Sequence, residues 1–310
     1  MSDPQQTPRK IRVAGIDLAY LERGSGPLVI CQHGFPDTAW SFVPVLDRLA
    51  AAGFRAVAPF LRGYAPSGLA PDGRYDILSL SGDLVGLVEA LGGGPAFAVG
   101  HDWGSVAVQG AARSHPEMFK RIVLCAVPHL RRFFLGITPR QIARSHYMLR
   151  FQLPLWPEAR LLRDDFAWME EVLIRRWSPG WHYTAEDLAP LKAGLREPAR
   201  LEAALAYYRS IPGLLVNPAA LRRAFSPIPV PTRMIYGSDD GCIGAEMFDG
   251  QEPLFPNGLD LCLAPGMGHF MQAERPDWFA DRVIEYCAMN PESAMGLARS
   301  GTWNAEPRRI

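Results

Sequence analysis

Hydrophobic positions along the first third of the chain follow two periods in turn. Ile16 to Glu22 alternates apolar with polar residues, the period of a strand with one buried face. Pro27–Gln32, Phe54–Pro59, Ala96–Gly100 and Ile122–Val127 are short continuous apolar runs, suited to strands buried on both faces. Trp40–Ala52, Leu80–Leu91 and Ser105–Ser114 instead carry apolar residues at helical spacing; Gly53 ends the first and Gly92-Gly93-Gly94 stops the second. Strands separated by helices of this length predict βαβ units, and therefore an α/β fold with a mostly parallel central sheet flanked by helices.

The alternation stops at Pro128. As far as Pro227 the pattern is helical throughout, rich in Arg, Trp and Tyr and punctuated by Pro154, Pro179, Pro198 and Pro218. It resumes after Pro227, Pro229 and Pro231, with strands at Thr232–Tyr236 and Leu259–Leu263 and a helix at Pro276–Ala288. Residues 291–310 have little apolar periodicity and read as a surface tail. No internal repeat interrupts this order. The expected organisation is a core built from 1–127 and 228–310, with residues 128–227 inserted as a helical cap (lid) of ordinary domain size.

Composition narrows the classes. Hydrophobic residues make up 48% of the 310, enough for a sizeable core and against disorder. Lys plus Arg equals Asp plus Glu at 32 each, so neither a nucleic-acid footprint nor attraction to an anionic membrane is expected. The five cysteines form no CxxC pair, which argues against a zinc site or a disulfide framework. Met1 to Arg12 is polar and proline-bearing, unlike a secretory leader, and no run of about 18 apolar residues occurs. The expectation is a cytoplasmic protein, monomer or homodimer.

Chemistry enters at Val99-Gly100-His101-Asp102-Trp103-Gly104, where a strand ends and a helix begins. Glycines two residues before and after Asp102 are what a sharp strand-to-helix elbow requires, because the backbone there leaves no room for side chains. An acidic helix cap is the plainer alternative. A carboxylate at an elbow selects its reaction. Already ionised at neutral pH, it would form a reactive anhydride with an acyl group, whereas attack on saturated carbon gives an alkyl ester. That ester must then be cut by water, which needs a base and an oxyanion hole. Pro265-Gly266-Met267-Gly268-His269-Phe270 presents His269 between glycines after a late strand, as a candidate base. Met234-Ile235-Tyr236-Gly237-Ser238-Asp239-Asp240 offers two acids to orient it; Asp240 is favoured, with Asp239 as a turn residue. His33-Gly34-Phe35-Pro36 closes an early strand, and the backbone N–H groups of Phe35 and Trp103 are the expected oxyanion donors.

Together, HGFP at 33–36, RGY at 62–64, GHDWG at 100–104, GSDD at 237–240 and GMGHF at 266–270 resemble the Asp-nucleophile branch of the α/β-hydrolase superfamily. That branch holds epoxide hydrolases and haloalkane dehalogenases. The resemblance implies Asp102 as nucleophile, Asp240 and His269 as acid and base, and no cofactor or metal. The leaving group separates the two activities: an opening epoxide yields an alkoxide that needs a proton, and a halide needs only N–H donors. Tyr147, four residues before Phe151-Gln152, and Tyr208 of Tyr207-Tyr208-Arg209 are similar to the two cap tyrosines that serve epoxide hydrolases. The reading is therefore an epoxide hydrolase taking a hydrophobic epoxide and water to a diol, with Phe35, Trp103, Tyr147, Tyr208 and Phe270 around the substrate. A haloalkane dehalogenase is the alternative; Trp103 suits a halide too, and Trp156, Trp168, Trp177 or Trp181 would have to supply a second donor.

Overall fold

The computed structural model describes residues 7–289. Eight strands form one sheet in the order β1-β2-β4-β3-β5-β6-β7-β8. They are β1 (Arg9–Val13), β2 (Ile16–Arg23), β3 (Leu28–Gln32), β4 (Arg55–Pro59), β5 (Ala96–His101), β6 (Phe119–Cys125), β7 (Thr232–Gly237) and β8 (Leu259–Ala264). Pairs β1/β2 and β2/β4 are antiparallel; every pair from β4 to β8 is parallel. β3 and β5 are buried at every position, which explains their uninterrupted apolar runs. α1 (Val43–Ala51) packs beside α13 (Pro276–Ala288), and α2 (Ile77–Ala90) beside α3 (Trp103–Ser114).

The structure moves several expected boundaries. β1 falls mostly within the polar opening segment, where the sequence predicts no strand, because it is a charged edge strand that is mostly exposed. A two-residue turn, Ala14 and Gly15 at φ 48° and 83°, folds it back on β2 with Val13 opposite Ile16. Such a turn needs both residues left-handed, and its twist matches the strands. α2 begins a turn before Leu80, since the Asp76 carboxylate accepts the Ser79 N–H at 2.9 Å and caps it there, a contact worth about 1 kcal/mol. The helix expected from Trp40 opens as a tighter turn, Ala39–Phe42, before α1. The tail expected at 291–310 lies outside the described residues.

Between β6 and β7 every regular element is helical: α4 (Leu130–Leu135), α5 (Pro139–Arg150), α6 (Trp156–Leu162), α7 (Arg175–Trp177), α8 (Ala185–Leu195), α9 (Pro198–Arg209), α10 (Ile211–Leu215) and α11 (Pro218–Phe225), with a π-helical stretch at Met169–Ile174. Short α12 (Met271–Glu274) precedes α13. The described cysteines are all free thiols. No helix among the described residues is long and apolar enough to cross a membrane.

Register places the chemistry. Gln32 lies beside Gly100, His101 beside Cys125, and Gly237 beside Ala264. The residues that follow β3, β5, β7 and β8 therefore emerge along one edge, the carboxyl edge where open α/β sheets hold their ligands. Arg62 of the RGY segment helps to fix that edge through a buried bidentate pair with Asp83 of α2, both bonds 2.6 Å.

Candidate active site

Asp102 stands between β5 and α3 at φ 52° and ψ −119°, a conformation non-glycine residues rarely adopt. Its surroundings hold it there. Asp102 N–H donates to the Cys125 carbonyl at 3.2 Å, and Ser105 Oγ bonds to the backbone of Gly100 and Cys125. A β-carbon on Gly100 would strike the Gly104 backbone, and one on Gly104 would strike the carbonyls of Gln32 and His33. A strained backbone at a buried acid is the kind of outlier that clusters at active sites.

Three further loops converge on the carboxylate. Phe35 N–H donates to Asp102 Oδ1 at 2.7 Å, while Oδ2 lies 3.5 Å from His269 Nε2. His269 Nδ1 donates to Asp240 Oδ2 at 2.8 Å, and Asp240 Oδ1 accepts the N–H groups of Cys242 at 2.6 Å and Ile243 at 2.9 Å. Asp239, one residue earlier, is exposed. Asp240 is thus the acid that meets the imidazole. Burial disfavours the charged imidazolium, but the carboxylates of Asp240 and Asp102 outweigh it and push the His269 pKa up to about 10.

The expected oxyanion site has physical content at Gly34. A β-carbon there would sit 2.5 Å from Asp102 Oδ1 and 2.6 Å from Trp103 N, so glycine keeps open the space beside both. Burial lowers the His33 pKa to about 4, so its ring is neutral. Nδ1–H then donates to the Gly34 carbonyl at 2.9 Å and Nε2 accepts the Leu61 N–H at 3.0 Å, which fixes the loop. Behind His269, His101 Nε2 donates to the His269 carbonyl at 2.9 Å, and Gln272 Nε2 bridges His101 Nδ1 and the buried Asp37 carboxyl at 3.3 and 3.1 Å.

Above Asp102 is a pocket of about 510 Å³, its open mouth included. Asp102, Tyr147 and Tyr208 are the hydroxyl- or carboxyl-bearing residues in its wall, and the rest is apolar, from Val106 and Val127 to Phe133 and Leu214. The Tyr208 hydroxyl is buried without a hydrogen-bond partner among the described residues; that of Tyr147 lies 3.5 Å from Cys242 Sγ. Burial, with the Asp102 charge contributing, pushes both phenols well above the ordinary tyrosine range, so both keep their protons. Tyr207 points elsewhere: its hydroxyl donates to the Arg62 carbonyl and its ring stacks on Tyr64.

Two residues expected around the substrate do not line this pocket. Phe270 is buried against the rings of His101, Trp177, Trp181 and His269, and those contacts occupy its side chain. The Phe35 ring packs on Phe151 and Tyr208 and offers the site its backbone N–H instead. Of the tryptophans, Trp103 is in the wall; Trp156, Trp168, Trp177 and Trp181 are not. Sequence reading passed over Gln141, Cys242, Gln272 and Asp37 in any role at the site. Only Cys242, two residues past Asp240, carried a local signal. Asp240, Cys242 and His269 could each offer a metal a ligand atom, all within 4.8 Å. Burial pushes the Cys242 thiol well up, however, and metals bind the thiolate.

A family model described as alpha/beta hydrolase fold matches residues 27–276. Epoxide hydrolase A of Mycobacterium tuberculosis is 31% identical over 90% of this chain and 97% of its own. An epoxide hydrolase of Caballeronia sordidicola is 34% identical over 89% and 92%. Among solved structures, a Bacillus megaterium epoxide hydrolase in complex with an inhibitor matches with a TM-score of 0.79 at 26% identity, covering 91% of this chain and 100% of that one.

Proposed function

Because this chain belongs to the α/β-hydrolase fold family and is similar along most of its length to named epoxide hydrolases, we propose that it hydrolyses epoxides to vicinal diols through an ester on Asp102. One observation carries the reading. A carboxylate and two protonated phenols, one without a hydrogen-bond partner among the described residues, face one apolar pocket. A nucleophile for carbon and proton donors for the departing oxygen are what ring opening requires.

The two oxygens of Asp102 take different parts. Oδ1 is held by the Phe35 N–H, which leaves Oδ2 to attack the ring carbon. As the C–O bond breaks, Tyr147 and Tyr208 hydrogen-bond the oxygen and one of them gives it a proton. The ester that forms is neutral, so His269 loses one of the two charges that held its proton. That proton passes through solvent to the tyrosinate, restoring the phenol and leaving a neutral imidazole. His269 then takes a proton from water as the water attacks the carboxyl carbon, and Asp240 holds the imidazolium. Charge develops on Oδ1, beside the N–H groups of Phe35 and Trp103. Collapse expels Oδ2 with the alkyl group as an alkoxide, which takes the proton left on the new carboxyl group; the diol departs, with Asp102 ionised and His269 protonated as at the start. The helices between β6 and β7 serve as the cap that supplies both tyrosines. The free thiols support a cytoplasmic setting.

A departing halide would call for N–H donors in the wall, and Trp103 is the single tryptophan there. Steady-state assays on an epoxide panel and a haloalkane panel test the proposal. Diol formation without halide release is expected; halide release without diol formation would overturn it.

A further inference from the structure

Helix α5 carries Tyr147 and is fastened to the loop that carries Asp240. Gln141, wholly buried, spans two backbone groups of that loop: Nε2 donates to the Cys242 carbonyl at 2.8 Å, and Oε1 accepts the Gly244 N–H at 3.0 Å. The same Nε2 also reaches Ser145 Oγ at 2.9 Å, so both ends of the amide are satisfied. One turn further along the helix, Arg144 pairs with Glu246 at 2.9 Å. Another turn on, the Tyr147 hydroxyl rests 3.5 Å from Cys242 Sγ. The loop that receives these contacts begins at Asp240, whose carboxylate binds the Cys242 and Ile243 N–H groups on one oxygen and His269 on the other.

We infer that Gln141 is a positioning residue for ring opening: its two-point grip on residues 242–244 docks α5 against the His269–Asp240 frame and so sets the Tyr147 hydroxyl over Asp102. The inference rests on Tyr147 being a proton donor. Residue 141 belongs to the inserted helices and 242–244 to the loop after β7, so the grip joins parts of the chain that local structure would leave free to shift. The sulfur contact cannot do this alone, since sulfur is a weak acceptor. That weakness has a use: the phenol proton stays available for a better acceptor, such as an epoxide oxygen. Displacing a reacting group by about 1 Å can cost up to about a hundredfold in rate. Loss of the grip is therefore felt in the step that uses Tyr147 and much less in ester hydrolysis, where the Asp240–His269 bonds persist.

A double-mutant cycle tests this, with styrene oxide as the probe and single-turnover kinetics resolving ester formation from decay. Gln141→Leu removes both bonds. It is expected to slow ester formation about tenfold and to change decay by less than about twofold. In a Tyr147→Phe background the same change should slow ester formation by no more than about twofold further, because the group it positions is already gone. Gln141→Glu keeps the acceptor for Gly244 and loses the donor to Cys242, so it should give a smaller loss with the same non-additivity; it carries the test if the leucine variant does not fold. Unchanged ester formation in both variants, or a full additive loss in the Tyr147→Phe background, overturns the inference. Wild-type ester formation in Tyr147→Phe alone overturns the donor role of Tyr147, a separate failure.

Discussion

His269 Nε2 stands 3.5 Å from Asp102 Oδ2, too far for a strong hydrogen bond and near enough for the carboxylate to act on the imidazolium through its charge. With Asp240 on the other nitrogen, two acids hold one proton on a buried ring, and burial itself opposes them. In the proposed mechanism, alkylation of Asp102 would delete one of those charges, so that the imidazole would become a base after the ester exists and not before.

Stability should carry the same signature. The folded imidazole has its pKa raised from 6.5 to about 10, so between those values the folded chain holds a proton that the unfolded chain has released. Its contribution is complete below pH 6.5, declines as pH rises, and is gone once pH passes about 10. Urea midpoints of the wild type and His269→Gln, taken at intervals from about pH 6 to about pH 10, should converge toward the alkaline end. A gap that stays constant across the range would mean that His269 is neutral in the resting protein.

Removing the base should strand the ester. His269→Gln incubated with styrene oxide is expected to gain the mass of one epoxide on the peptide containing Asp102. In ¹⁸O-water, a single wild-type turnover should release unlabelled diol if, as proposed, Asp102 supplies its new oxygen. Label in that first diol would establish direct hydration of the epoxide in place of the ester route.

Much of this arrangement was legible in the chain because it depends on local pattern. Continuous apolar runs at β3 and β5 mark strands buried on both faces, and the spacing of Gly100 and Gly104 about Asp102 states a backbone constraint that few other turns impose. Its place three residues past Gly237 favours Asp240 over Asp239; in the fold Asp240 is buried against His269 and Asp239 is exposed. β1 was hidden by its own position: an exposed edge strand needs charge, and charge erases the strand pattern. Phe270 lies outside the pocket wall, and the direction of a single side chain beside His269 is not written in local pattern. Gln141 had no local signal, since its partner Cys242 lies 101 residues away.

Gly34 is expected to tolerate nothing larger. Its missing β-carbon leaves the space that Asp102 Oδ1 and the Trp103 N–H share, 2.5 and 2.6 Å from where a methyl would sit. Since those atoms belong to the proposed nucleophile and to backbone, Gly34→Ala must displace one of them. Loss of a single oxyanion donor costs on the order of a hundredfold to a thousandfold in kcat. A loss of at least about a hundredfold in diol formation is expected, with circular dichroism showing a folded protein. Near-wild-type activity would remove this space from the mechanism.

Tyr207 and Tyr208 give the sharpest contrast, because adjacent residues of α9 leave the helix about 100° apart and meet opposite surroundings. The Tyr207 hydroxyl is committed to the Arg62 carbonyl, on a residue that also anchors α2 through Asp83. Tyr207→Phe would leave that acceptor unpaired and should lower stability by about 1–2 kcal/mol, with ester formation within about twofold of wild type. The Tyr208 hydroxyl makes no hydrogen bond of normal geometry among the described residues and has only a weak contact with the Trp103 indole to lose. Tyr208→Phe should therefore leave the melting temperature unchanged or slightly raised, while ester formation falls on the order of tenfold to a hundredfold, part of what a positioned acid contributes. Ester decay should not follow it if, as proposed, His269 and Asp240 activate the water. Thermal melts and single-turnover kinetics on the two variants separate these outcomes. Equal slowing of formation and decay in Tyr208→Phe would take Tyr208 out of the donor role, and slowed ester formation in Tyr207→Phe at unchanged stability would put its neighbour there.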